Sequence, residues 1–92
     1  TAASREQIRY YGAEILFRKA MFTDALASFE ALTVSGSADF HFREESHARA
    51  VLCAEHAGLY DRMNELAKDY LARYGERGKF VREMRELVGG EK

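Results

Sequence analysis

Proline and tryptophan are absent from this 92-residue chain, and cysteine occurs once, at Cys53. With Ala, Leu, Glu, Arg and Lys plentiful, such a composition favours helix and leaves little for strand edges and hairpin turns. A lone cysteine excludes an internal disulfide, so stability must come from packing. A surplus of one charge is missing too: 14 Lys and Arg against 15 Asp and Glu leave a net charge of -1. That balance removes the sequence-independent attraction to nucleic acid or to an anionic membrane. No apolar run approaches the roughly 20 residues that cross a bilayer. The start, Thr1-Ala2-Ala3-Ser4, has neither the basic nor the apolar region of a signal peptide. The chain therefore reads as soluble, with no nucleic-acid partner and no membrane insertion. A start without Met is expected of a fragment or of a mature chain whose leader was removed, which leaves cytoplasm and bacterial periplasm both open.

What is present is helical periodicity, and the length suits one domain spanning 1–92. The first helix, from Arg5 to Lys19, carries two apolar stripes. Ile8, Tyr11, Gly12, Ile15 and Leu16 form one, and Tyr10, Ala13 and Phe17 the other. Thr23-Asp24 is the expected N-cap of a second helix with Ala25, Leu26, Phe29 and Leu32 inside. A loop follows at 35–39, where small and polar residues cluster. The third helix is expected from Phe42 to Ala57, with Ala48, Val51, Leu52 and Ala54 inward and Gly58 as the left-handed stop. Leu59, Met63, Leu66, Ala67, Tyr70, Leu71 and Tyr74 give the fourth its buried face, up to Gly75. A fifth helix from Lys79 to Val88 sets Phe80, Val81, Met84, Leu87 and Val88 against Arg82, Glu83, Arg85 and Glu86, and should lie over the third and fourth.

Helices one-two and three-four share an anatomy at a shift of 38 residues. Ala20-Met21-Phe22 aligns with Gly58-Leu59-Tyr60, Ala25 with Met63, Phe29 with Ala67 and Leu32 with Tyr70. Through Ala13, Ala20, Phe22, Ala25 and Phe29, then Gly58, Tyr60 and Tyr74-Gly75, the chain resembles the tetratricopeptide repeat family. Met63 and Ala67 depart from that family's pattern. The resemblance implies an all-α, right-handed array of antiparallel helix pairs, at 5–34 and 41–75, closed by a capping helix at 79–88. It further implies a groove lined by the first helix of each pair. Gln7, Tyr10, Glu14, Phe17 and Arg18 would come from the first, and Glu45, Ala48, Leu52, Glu55 and His56 from the second. A groove half aromatic and half charged suits protein recognition. Some family members clamp a terminal carboxylate with Lys, Asn and Arg at these places, whereas this chain has Tyr10 and Glu14, so such a clamp is not expected. Tyr10 and Phe17 have an alternative use, packing against the fifth helix or a neighbouring copy.

Reactive groups are sparse. Cys53, His56 and His47 are spaced too loosely for a zinc site, and Cys53 reads as a small core residue. His41 and His47 read as surface or partly buried helix residues. Glu44-Glu45 and Glu83-Glu86 read as solvated faces, and no glycine-rich phosphate loop precedes a helix. Arg73, Arg77, Lys79, Arg82 and Arg85 make a basic stretch, but Glu76, Glu83 and Glu86 interleave with it. No enzyme activity, cofactor or metal is therefore expected. The expected function is a scaffold module that binds a partner's peptide or helix in the groove. The alternative is self-assembly through exposed helical faces.

Overall fold

The periodicity of the sequence becomes five helices: α1 Ala2–Arg18, α2 Phe22–Ser35, α3 Arg43–His56, α4 Tyr60–Tyr74 and α5 Val81–Gly89, with a 3-10 turn at Gly75–Arg77. The computed structural model describes residues 2–35 and 42–89, and among these there is no strand. Most of the expected 35–39 loop, and His41, lie outside the described residues. Each helix packs chiefly on its neighbour in the chain, α2 on α3 most extensively.

The α1–α2 and α3–α4 turns are built from the same hydrogen bonds. In the first, Ala20 N–H bonds to Phe17 O at 3.0 Å and Met21 N–H to Leu16 O at 2.9 Å. Shifted by 38 positions, Gly58 N–H bonds to Glu55 O at 3.0 Å and Leu59 N–H to Ala54 O at 2.8 Å. Both are Schellman closures, which satisfy the last carbonyls of the helix and need a left-handed residue at the stop. Ala20 supplies it at φ 61 and Gly58 at φ 76. The chain then re-enters helix at once, Ala25 N–H bonding to Met21 O and Met63 N–H to Leu59 O. The cap expected at Thr23-Asp24 is therefore displaced. Because Met21 ends one helix and starts the next, Thr23 and Asp24 fall inside the first turn of α2, where Asp24 complements the helix dipole. Leu59, expected on the inner face of α4, likewise precedes the helix and is exposed.

The core joins Tyr10 and Ala13 of α1, Leu26, Phe29 and Leu32 of α2, Val51, Cys53 and Ala54 of α3, Met63, Leu66, Ala67 and Tyr70 of α4, and Met84 of α5. Of the two α1 stripes, only the one with Tyr10 and Ala13 is buried. Ile8, Tyr11 and Ile15 remain 71%, 50% and 54% exposed.

At the start of α5, Glu44 and Tyr70 replace a conventional cap. Tyr70 Oη donates to Glu44 Oε2 at 2.6 Å and accepts from Phe80 N at 2.9 Å, while Lys79 N donates to the same carboxylate oxygen at 2.6 Å. An anion and a hydroxyl thus serve backbone donors that the helix itself leaves unpaired. Gly78 permits the approach, since a Cβ there would lie 2.5 Å from Tyr70 Oη. Glu44 and Glu45, expected as a solvated face, are both half-buried and engaged, Glu45 with Lys79 Nζ at 3.0 Å. On α5 itself Met84 alone is fully buried, with Val81, Leu87 and Val88 half-covered, as is Phe80 just before the helix.

Candidate functional site

A groove of about 280 Å³ opens where α1, α3 and α5 converge. Ala48 and Leu52 face it from α3, Tyr10 from α1, and Phe80 and Met84 from the α5 segment, while Glu45, Arg49 and Glu83 supply its charged groups. Ala48 keeps the α3 wall low, and Leu52 is half-exposed toward the opening rather than fully inward.

Four residues expected in a groove, Tyr10, Glu45, Ala48 and Leu52, meet here. Tyr10 contributes little more than an edge: it is buried, stacked on Phe42 at 4.6 Å and edge-on to Phe29 at 5.8 Å. Burial raises its pKa, with the Glu14 carboxylate adding to the rise. Glu14 is held by Arg49, whose Nε lies 2.8 Å from Oε1 and whose Nη2 donates to Oε2 at 3.2 Å. The same guanidinium sits 4.7 Å above the Phe17 ring, so Phe17 and Glu14 orient Arg49 from beside the groove. His56 stacks on Phe22 at 4.7 Å, tying the end of α3 to the start of α2. Gln7 is exposed and donates to Tyr11 Oη at 3.2 Å, Arg18 is exposed, and Glu55 is half-buried. None of these last four lines the groove.

The residues missed by the sequence were Arg49, Phe80, Glu83 and Met84. Arg49 falls 38 positions after Tyr11, which had been assigned to a stripe and not to a groove. The α5 residues had been read only as cover. Treating the fifth helix as a third wall, in sequence with the first and third, would have found them.

Away from the groove, Cys53 and His47 are enclosed. Cys53 is buried and its thiol is pushed up to about 12, chiefly by burial, which leaves no reactive thiolate at neutral pH. His47, expected at the surface or partly buried, is only 1% exposed, because it lies at the α3–α4 seam under Tyr74 at 5.6 Å between rings. Neither of its ring nitrogens has a hydrogen-bond partner, and Nε2 is 3.8 Å from Asp69 Oδ2. Burial lowers its pKa, and Arg73 lowers it further. Among the described residues no group of three or more His, Cys, Asp or Glu side chains is placed to hold a metal ion, and no helix is long and apolar enough to cross a membrane.

No protein-family model, curated protein or solved structure matches the chain.

Proposed function

We propose that the chain is a protein-recognition module whose α1–α3–α5 groove takes an apolar side chain of a partner peptide or helix. The groove itself carries this reading: an apolar floor of Tyr10, Ala48, Leu52, Phe80 and Met84 beside fixed charges. Its volume suits one large aliphatic or aromatic anchor, the kind of residue that concentrates binding energy at interfaces. Glu45 is neutralised by Lys79 and Arg49 by Glu14. Glu83 is exposed and makes no ion pair among the described residues, so it favours a ligand with Lys or Arg next to its anchor.

The matching closures of the two turns and the wall of first, third and fifth helices support the finer architecture, two tetratricopeptide-like units with α5 as the cap. Fold alone does not specify a partner, so the warrant for binding is the groove chemistry.

Panning a displayed random-peptide library against the chain tests this reading. The expected selection is Leu, Met or Phe flanked by Lys or Arg, with binding lost to the Leu52→Glu variant and the flanking preference reversed by Glu83→Lys. Leu52 is half-exposed, so the variant should keep its circular dichroism. Selected peptides that bind Leu52→Glu as well as the parent would sink the groove.

A further inference from the structure

The matching turn hydrogen bonds set the two helix pairs in register at a shift of 38, and a face that is filled in the second pair is open in the first. On α1 the positions Ile8, Gly12, Ile15 and Leu16 run along the side away from α3; Ile8, Gly12 and Ile15 are exposed and Leu16 is half-covered. Their counterparts on α3, 38 positions on, are Ser46, Ala50, Cys53 and Ala54, all 0% exposed. Pairing with α2 leaves Ile8, Gly12 and Ile15 open in α1, so the equivalent pairing with α4 cannot be what buries their counterparts in α3. The cover is α2, the principal neighbour of α3.

Gly12 reinforces the point. A glycine in mid-helix costs roughly 0.5–1 kcal/mol relative to alanine. Among the described residues, nothing beyond its own stretch of helix comes within 4 Å of where its Cβ would be, so no described contact requires it. It floors a furrow of about 640 Å³ between α1 and α2, with Arg9, Leu16, Ala27, Ser28 and Ala31 around it. Such a floor lets another backbone approach closely.

The charges around the open face set the chemistry of the missing cover. α2 contains Asp24 and Glu30 and no basic residue. It is fastened to the second pair by the Glu30–Arg62 ion pair and by Arg43 Nη2 donating to Thr33 O at 3.4 Å. The counterpart of Arg43 is Arg5 and that of Arg62 is Asp24, so the preference for an acidic helix comes from the cations of α1 and not from an equivalent of the Arg62 pair. Arg5, Arg9, Arg18 and Lys19 are all exposed along α1 and its end, and none makes an ion pair among the described residues. We propose that the open α1–α2 face, made of Ile8, Gly12, Ile15 and Leu16 among these four cations, binds an acidic amphipathic helix of another protein, laid on α1 as α2 lies on α3. A second copy is a poor occupant, because a two-fold α1–α1 contact would bring the same four cations together.

This proposal does not rest on the groove reading and is tested separately. The probe is a labelled peptide with the sequence of Phe22–Ser35, titrated into the full chain and followed by fluorescence anisotropy. It should bind, and Ile8→Glu combined with Ile15→Glu should raise Kd at least about tenfold with unchanged circular dichroism. Reversing the peptide's charges (Asp24→Lys, Glu30→Lys) should weaken binding, and the difference should shrink at about 1 M salt, where the Debye length is about 3 Å. Leu52→Glu should leave the titration unchanged. The proposal is overturned by equal binding to the double variant or by no binding at millimolar peptide. It is equally overturned by light scattering of a dimer that the double variant dissolves, or by phosphatidylserine vesicles that capture the parent and not the variant.

Discussion

The first and second helix pairs close their turns with the same hydrogen bonds, yet they distribute burial differently. In the second pair α3 lies between α2 and α4, and seven of its residues are buried. In the first pair α1 has a neighbouring pair on one side only, and Ile8, Tyr11 and Ile15 stay exposed. The second pair also has α5, pinned by Glu44 and Tyr70, where the first has only the second pair itself. Burial at a given helical position is thus decided by what lies across from it, and small residues (Ser46, Cys53, Ala54) occupy α3 where large ones (Ile8, Ile15, Leu16) line α1. A crowded face selects small side chains, since overpacking a dense core costs about 1–3 kcal/mol.

The sharpest way to break this comparison is to make one pair resemble the other at its centre. Phe29 is fully buried, and its counterpart in α4 is Ala67, also fully buried. Phe29→Ala should destabilise by about 3–5 kcal/mol, a large share of the roughly 5–15 kcal/mol available to a domain. Urea denaturation would measure it. A loss below about 1 kcal/mol would mean that the two pairs share one filling rule and that the Tyr10–Phe29–Phe42 cluster contributes little.

A second, smaller effect is expected where α5 meets the second pair. Gly78 has ordinary φ -68, so only space forbids a side chain. Gly78→Ala would push Tyr70 Oη away from Glu44 and Phe80 N, and Tyr70 is too enclosed to swing aside. The expected cost is about 1–3 kcal/mol. Because Tyr70→Phe removes the same hydroxyl, the double variant should cost less than the two single losses added together. Full additivity in thermal melts would show that Gly78 acts elsewhere.

These contacts mark the limit of what was legible in the sequence. The five helices were legible, because apolar spacing at i, i+3, i+4 and i+7 is a local property. The small-then-aromatic signal at Ala20-Met21-Phe22 and Gly58-Leu59-Tyr60 located both turns. Which α1 stripe would be buried was not legible, since Ile8 and Ile15 are as apolar as Tyr10 and only the position of α2 decides. His47 was misplaced for a related reason: a polar residue amid Glu45, Ser46 and Arg49 gives no sign that Tyr74 covers it. The groove was half legible. Glu45, Ala48 and Leu52 follow from the repeat resemblance carried over by the 38-residue shift, but the α5 wall depends on an angle of packing that no local pattern encodes.

A third prediction sharpens the likeness of the turns. Ala20 holds a left-handed conformation that costs an L-residue about 1 kcal/mol and that glycine adopts freely, as Gly58 does. Ala20→Gly should therefore stabilise by about 0.5–1 kcal/mol, and Gly58→Ala should destabilise by a similar amount. Exchanging the two residues should then leave the melting temperature close to the parent's. Destabilisation by Ala20→Gly would show that the Schellman closure of the first turn is not under backbone strain.

The smallest expected effect concerns the same register on α1 and α3, where Arg9 is exposed and His47 is enclosed. Burial and the nearby Arg73 and Arg43 hold the pKa of His47 below its ordinary 6.5, while Asp69 opposes them. The unfolded chain therefore takes up a proton near pH 6.5 that the folded chain refuses until a lower pH. In that window the unfolded state binds more protons, so stability falls as pH falls, and above it His47 is neutral in both states and contributes no slope. Urea midpoints measured from pH 7.5 to 5.5 should decline for the parent. They should flatten in His47→Gln, whatever that variant's absolute stability. Asp69→Asn should steepen the decline, because it removes a carboxylate that favours the imidazolium. A His47→Gln profile parallel to the parent's would assign the acid sensitivity to other groups and leave this histidine a passive filler of the α3–α4 seam.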